Sequence, residues 1–248
     1  MDIEQANLND YQNGPVFLKD AGFNPRIGFV KKVYGILSTQ LAFTVLLCWY
    51  AMQTAEAGFG AFIANCVPLL FLALIVNFIT MIVVFCCRSV AQTVPSNYIV
   101  LSIFTFTEAY SVAAICTYYQ LEGMGDLVLM AAVMTAAMTF ALTLYACTTR
   151  TDFTVYGGLL FIIACAFILV IIFSCFTNNP FLHALIAALG VIFYGIYIIY
   201  DTELIIGGGQ YELSIDDYIL GAIIIYIDII ILFLRILRLL AIIFGKNK

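Results

Sequence analysis

Apolar residues run in long unbroken blocks along this chain, separated by short polar breaks. Blocks of about 20 residues are long enough to cross a bilayer as helix. They recur at Val33–Met52, Val67–Cys87, Tyr98–Tyr119, Leu127–Cys147, Tyr156–Phe176, Leu182–Ile206 and Tyr218–Phe244. None alternates apolar and polar in the manner of a membrane β-barrel strand. The pattern predicts an all-α membrane protein, a bundle of seven transmembrane helices joined by short loops. A polar N-terminal tail over 1–27 precedes one transmembrane domain over 28–248. The tail has no basic start followed by an apolar core, so it does not read as a cleaved signal peptide.

Composition agrees. Hydrophobic residues make up 64% of the chain and charged residues 10%, against roughly 25% charged in a soluble domain. With ten basic residues and a net charge of −5, there is no patch to hold phosphates, so nucleic acid is not an expected partner. The eight cysteines lack metal-ligand spacing and mostly lie in apolar runs, where they act as small hydrophobes. His183 is the only histidine, and one imidazole does not build a metal centre. Gly207-Gly208-Gly209 lacks the spacing and the lysine of a phosphate loop and reads as a helix stop and turn.

Basic residues set the orientation. Lys19, Arg26, Lys31 and Lys32 precede the first span, Arg88 follows the second and Arg150 the fourth, whereas the opposite loops carry Glu56, Glu122, Asp126 and His183. The N-terminus is expected in the cytosol. Arg235, Arg238, Lys246 and Lys248 run against that rule if the last segment crosses fully, which its length favours.

Polar residues inside the spans carry the chemistry. Gln40 and Asn77 read as hydrogen-bond links between helices. Glu108, in the third span, reads either as a neutralised, hydrogen-bonded carboxyl or as part of an ion path. Most informative are Asp201 and Asp228, one on each of the last two spans, which a short turn connects. An aspartate at a helix centre costs about 2.5–3.5 kcal/mol to insert and commonly faces an interior or a watery cavity. Counted from the turn, their depths are about 8 and 15 Å at 1.5 Å per residue, an offset that helix tilt can bridge. Two carboxyls brought together in low dielectric cannot both ionise cheaply, so they share a proton and titrate as a pair. Tyr194, Tyr197 and Asp201 lie on one helix face at spacings of three and four. Gly221, Asp228 and Arg235 recur every seven residues on the last span. These residues describe a proton-sensitive gate or a cation site.

The hairpin also resembles a known family. Tyr200-Asp201-Thr202, Leu204-Ile205-Ile206-Gly207, Tyr211-Glu212-Leu213-Ser214, Asp217-Tyr218 and Tyr226-Ile227-Asp228-Ile229-Ile230 are similar to the transmembrane Bax inhibitor motif family, nearest to its lifeguard and Golgi anti-apoptotic protein branch. Lys31-Lys32-Val33-Tyr34-Gly35, Pro95-Ser96-Asn97-Tyr98 and the Phe-Thr-Xaa-Xaa-Glu stretch ending at Glu108 extend the match, so it runs from about Gly28 to Leu240. The resemblance implies a non-enzymatic, multi-pass protein of Golgi or endoplasmic reticulum membranes that leaks Ca²⁺ from stores and restrains apoptosis. It implies that Asp201 and Asp228 form a pH-sensing dyad and transient Ca²⁺ site, that Arg88 is the matching latch, and that Ca²⁺ is a permeant ion rather than a cofactor. It also implies membrane lipid and membrane proteins of cell-death control as partners. Glu203 departs from the uncharged residue common in relatives and adds an acid beside the dyad, so it joins Glu108, Tyr194 and Tyr197 as an ion-path candidate.

Other classes remain open. A non-conducting interaction scaffold would keep the dyad for packing alone, and a proton-coupled cation exchanger would use the same carboxyls. An intramembrane aspartyl protease also carries two helix-borne aspartates, but Asp228 follows Tyr226-Ile227 rather than a Gly-Xaa-Gly motif, and Pro180 is the last proline.

Overall fold

The computed structural model describes residues 23–177, 179–207 and 213–245. The helices, in order, are α1 (Phe23–Gln53), α2 (Phe59–Asn65), α3 (Val67–Cys86), α4 (Arg88–Gln92), α5 (Ser96–Leu121), α6 (Gly125–Thr148), α7 (Gly157–Ser174, preceded by a 3₁₀ turn Phe153–Tyr156), α8 (Pro180–Ile206) and α9 (Tyr218–Phe244). Seven of these, α1, α3 and α5 to α9, are long and apolar enough to span a membrane. Helix is the structure such sequences require: in hydrocarbon every backbone N–H and C=O must be paired within its own segment or a closed barrel.

Local sequence sets the ends. Pro180 stands at the first turn of α8, where its missing N–H costs nothing, and the Asn179 side chain caps that end by accepting from Phe181 N at 3.0 Å. Gly207 ends α8 at φ 71°, a left-handed value that suits glycine, and its N–H bonds the Glu203 carbonyl at 2.9 Å. The rest of the glycine run, and Tyr211 and Glu212, lie outside the described residues. α1 starts ten residues before the apolar block that marks it, and Arg26 is tied down by donating to the Ile206 carbonyl at 2.7 Å and to the Gly207 carbonyl.

The bundle is built inside out. Its lipid side carries Phe71, Phe78, Phe140, Phe161 and Leu169, all exposed, while the buried set includes Gln40, Asn77, Asn97, Asp201 and Asp228. α9 is the central helix, packed by α8, α6 and α1, and α5 packs with α1 and α3. α7 lies at the periphery, touching α8. In α9, 67% of the most apolar window is buried, against 6% for the α7 segment; the hairpin's last helix is therefore the core, and its Tyr226 and Asp228 face protein.

Two ends of the bundle can be told apart by their contacts. At the near end, Arg26 meets the C-terminus of α8, the Gln92 side chain donates to Asp217 Oδ1 at 2.8 Å, and Asn97 donates to the Tyr218 hydroxyl at 3.0 Å. At the far end, the Arg238 guanidinium lies 3.1 Å from His183 Nδ1, and Gly245 abuts the Met124 sulfur. α9 thus runs unbroken from one end to the other as a full span.

Candidate functional site

The site begins with the register of α8 against α9. A Cβ on Gly221 would lie 3.4 Å from Ile205, Leu213 and Val33, so the small residue lets the helices close near the turn. Toward the far end, Gly190 fits against the Arg235 side chain. Counting from either contact at 1.5 Å per residue leaves Asp228 about 5 Å farther from the turn than Asp201. Side chains on a helix lean toward its N-terminus. Because the helices are antiparallel, Asp201 leans toward the far end and Asp228 toward the near end, which closes the offset.

The two carboxyls lie within hydrogen-bonding reach of each other. Each aspartate is 5% exposed, and Asp228 Oδ2 has no hydrogen-bond partner. A hydrogen bond between carboxyls needs one of them protonated, since a carboxylate has no donor. One negative charge shared by two oxygens sets in an apolar shell is the arrangement that geometry favours.

The remaining sequence candidates are placed as follows. Tyr197 lies within electrostatic range of both aspartates, and its ring is 6.3 Å from that of Tyr194 and 6.4 Å from that of Tyr200. Tyr194 is farther out, in range of both Asp228 and Arg235. Glu203 faces elsewhere: its Oε2 accepts from the Phe153 N–H at 2.7 Å, so it ties the α6–α7 connection to α8. With Arg150, Asp152, Thr151 and Gly207 it lines a cavity of about 200 Å³ at the near end. Glu108 is also apart from the dyad, half-buried on α5 with Asn77 of α3 in hydrogen-bonding reach. Arg88 opens α4, the short helix whose Gln92 binds Asp217; its side chain lies outside the described atoms.

The family model for the inhibitor of apoptosis-promoting Bax1 matches residues 26–245. The chain belongs to this Bax inhibitor family. Human protein lifeguard 3 is 32% identical over 216 residues, which cover 86% of this chain and 68% of the relative. Mouse protein lifeguard 3 is 31% identical over 218 residues, covering 86% and 69%. The Golgi anti-apoptotic protein of vaccinia virus (strain Lister) is 31% identical over 240 residues, covering 95% and 94%. The hairpin that carries the dyad lies wholly inside the matched region of this Bax inhibitor family member.

Two residues that hold the site in place appear in the sequence only within the family motifs, with no role read for them. Asp217 is 1% exposed and accepts from Gln92 Nε2 at 2.8 Å and Ser214 N at 3.1 Å, locking the α9 start to α4. Its signal was present: Ser214 and Asp217 have the spacing of a capping box. Tyr226, fully buried, bonds Thr44 at 2.8 Å and packs edge-on to Phe104. It fixes the opposite face of α9 from Asp228, a role its apolar context does not show. Gln40, read as a link between helices, donates to Thr105 at 2.8 Å. All eight cysteines are free thiols.

Proposed function

We propose that this multi-pass Bax inhibitor family member is a pH-sensitive Ca²⁺ leak of intracellular membranes that lowers store Ca²⁺ and thereby restrains apoptosis. The observation that carries the reading is the Asp201–Asp228 pair, two buried carboxyls in mutual reach on the central hairpin with one oxygen unpartnered. Carboxylate oxygens are the ligands Ca²⁺ takes, and a shared proton competes for them. Gating follows from that competition. When the proton is held, the pair carries one charge and a latch on it is weak; when it leaves, two charges attract a nearby cation. Arg88, at the head of α4, is the proposed latch, and Tyr194 and Tyr197 line the approach.

The relatives' names, lifeguard and Golgi anti-apoptotic protein, support a role in cell-death control and a Golgi membrane; an endoplasmic reticulum membrane is the other location in this reading, and Arg26, Lys31, Lys32, Arg88 and Arg150 support a cytosolic N-terminus. In this reading Ca²⁺ is cargo, not a resident cofactor, and the reaction is transport rather than catalysis. Membrane lipid and membrane proteins of the death pathway are the expected partners.

The test is purified protein in vesicles loaded with a Ca²⁺ dye, followed across pH. Efflux that depends on pH and on Asp228 is expected. A protein that assembles normally and moves no Ca²⁺ at any pH would favour the non-conducting scaffold, and Ca²⁺ movement strictly tied to an opposing proton gradient would favour an exchanger.

A further inference from the structure

Between the dyad and the far end lies a cation that the proposed mechanism leaves unused. Arg235 follows Asp228 by seven residues, two helical turns, or about 10 Å along α9. Its side chain is half-buried inside a membrane span. The stem lies on Gly190, where a Cβ would come within 2.8 Å of Arg235 Cδ, and the guanidinium sits 5.5 Å from the centre of the Phe167 ring with Tyr194 in hydrogen-bonding reach. Among the described residues, the charged and phenolic groups acting on it are Tyr194 of α8 and Arg238 of α9, with no carboxylate among them.

That environment is specific. Guanidinium is always charged and stacks on aromatic faces, so α7 supplies a π-face, α8 a hydroxyl and a notch at Gly190. The charge is held in place without being neutralised. Tyr194 connects it to the site, since this phenol lies in reach of Arg235 and in range of Asp228. Any cation reaching the dyad along the α8–α9 seam from the far end must pass this fixed positive charge.

We infer that Arg235 is the charge filter of the leak, a specificity-determining residue that limits divalent cations on the far side of the dyad. The inference rests on the proposed leak function and names a regulator of it. Two unit charges about 10 Å apart at an effective dielectric near 20 repel by enough to disfavour occupancy more than tenfold, and a divalent ion by a few hundredfold. The filter therefore lowers Ca²⁺ relative to K⁺ by about tenfold and keeps the leak slow.

The experiment compares full-length wild type, Arg235→Gln, Arg235→Met and Arg235→Lys in vesicles, measuring Ca²⁺ and K⁺ efflux under matched gradients. Size-exclusion profiles and thermal midpoints report folding, and Met retains an unbranched stem for the Gly190 notch should Gln not fold. The neutral variants are expected to raise the Ca²⁺ to K⁺ ratio about tenfold, with Lys staying within about twofold of wild type; a merely structural arginine would shift the midpoint and leave the ratio alone. An unchanged ratio in a conducting, folded neutral variant overturns the filter and leaves the leak standing. A silent wild type beside a conducting neutral variant supports the filter and contradicts the native leak. Silence in all four overturns both.

Discussion

The Phe153 N–H donates to Glu203 Oε2 at 2.7 Å, which joins the turn after α6 to the last turn of α8. An acid two residues from the dyad thus holds a backbone rather than an ion. Glu203→Gln retains an acceptor and is expected to behave as wild type. Glu203→Ala leaves that N–H unpaired and is expected to cost about 1 kcal/mol, the size of a typical net hydrogen bond. Thermal midpoints in detergent check both, and a Gln variant as weak as Ala would show that the charge, not the bond, matters.

Arg26, Arg150 and Lys32 gather at the near end with Glu203 and Asp217, while Glu122 and His183 mark the other. With the basic end in the cytosol, a cysteine placed at Thr151 is expected to react with an impermeant thiol reagent from the cytosolic side, and one at Glu56 only after the membrane is opened. The native cysteines are replaced first. Reaction at Glu56 in sealed vesicles, with protection at Thr151, reverses the topology.

Much of this arrangement was legible in the chain. Continuous apolar blocks have only one stable form in a membrane, so the seven spans stand close to where the pattern put them. The hairpin turn by itself sets Asp201 and Asp228 on adjoining helices. What pattern could not supply was contact between distant segments. α1 extends back to Phe23 through a polar, basic stretch because Arg26 finds carbonyls at the end of α8, 180 residues away. Glu108 and Glu203 are intramembrane acids by sequence alike, yet one faces Asn77 and the other a backbone N–H. The short helices α2 and α4 fall in segments too brief for a period to show.

The core behind the dyad gives a separate prediction. Tyr226→Phe removes the hydroxyl that bonds Thr44 at 2.8 Å while keeping the ring against Phe104. A loss of about 0.5–1.5 kcal/mol is expected, with the pH profile of the leak unchanged. A shifted profile would show that the α1 side of α9 also takes part in gating.

Arg88→Ala tests the latch. If its guanidinium holds the ionised dyad shut, removing it raises the resting leak severalfold at neutral pH and has little effect once the pair holds its proton. Efflux at two pH values from equally expressed protein checks this. An equal change at both would leave Arg88 a topology signal alone.

The shared proton is the central claim, and Ca²⁺ efflux from vesicles measured across pH for wild type, Asp201→Asn, Asp228→Asn and the double variant tests it most directly. Protonation weakens the latch and also competes with Ca²⁺, so wild-type flux is expected to peak at mildly acidic pH and then fall. Each single variant is expected to flatten that profile, and the double variant to be no worse than either, the non-additivity of residues that act as one unit. Independent, additive losses with the pH dependence intact would contradict the account.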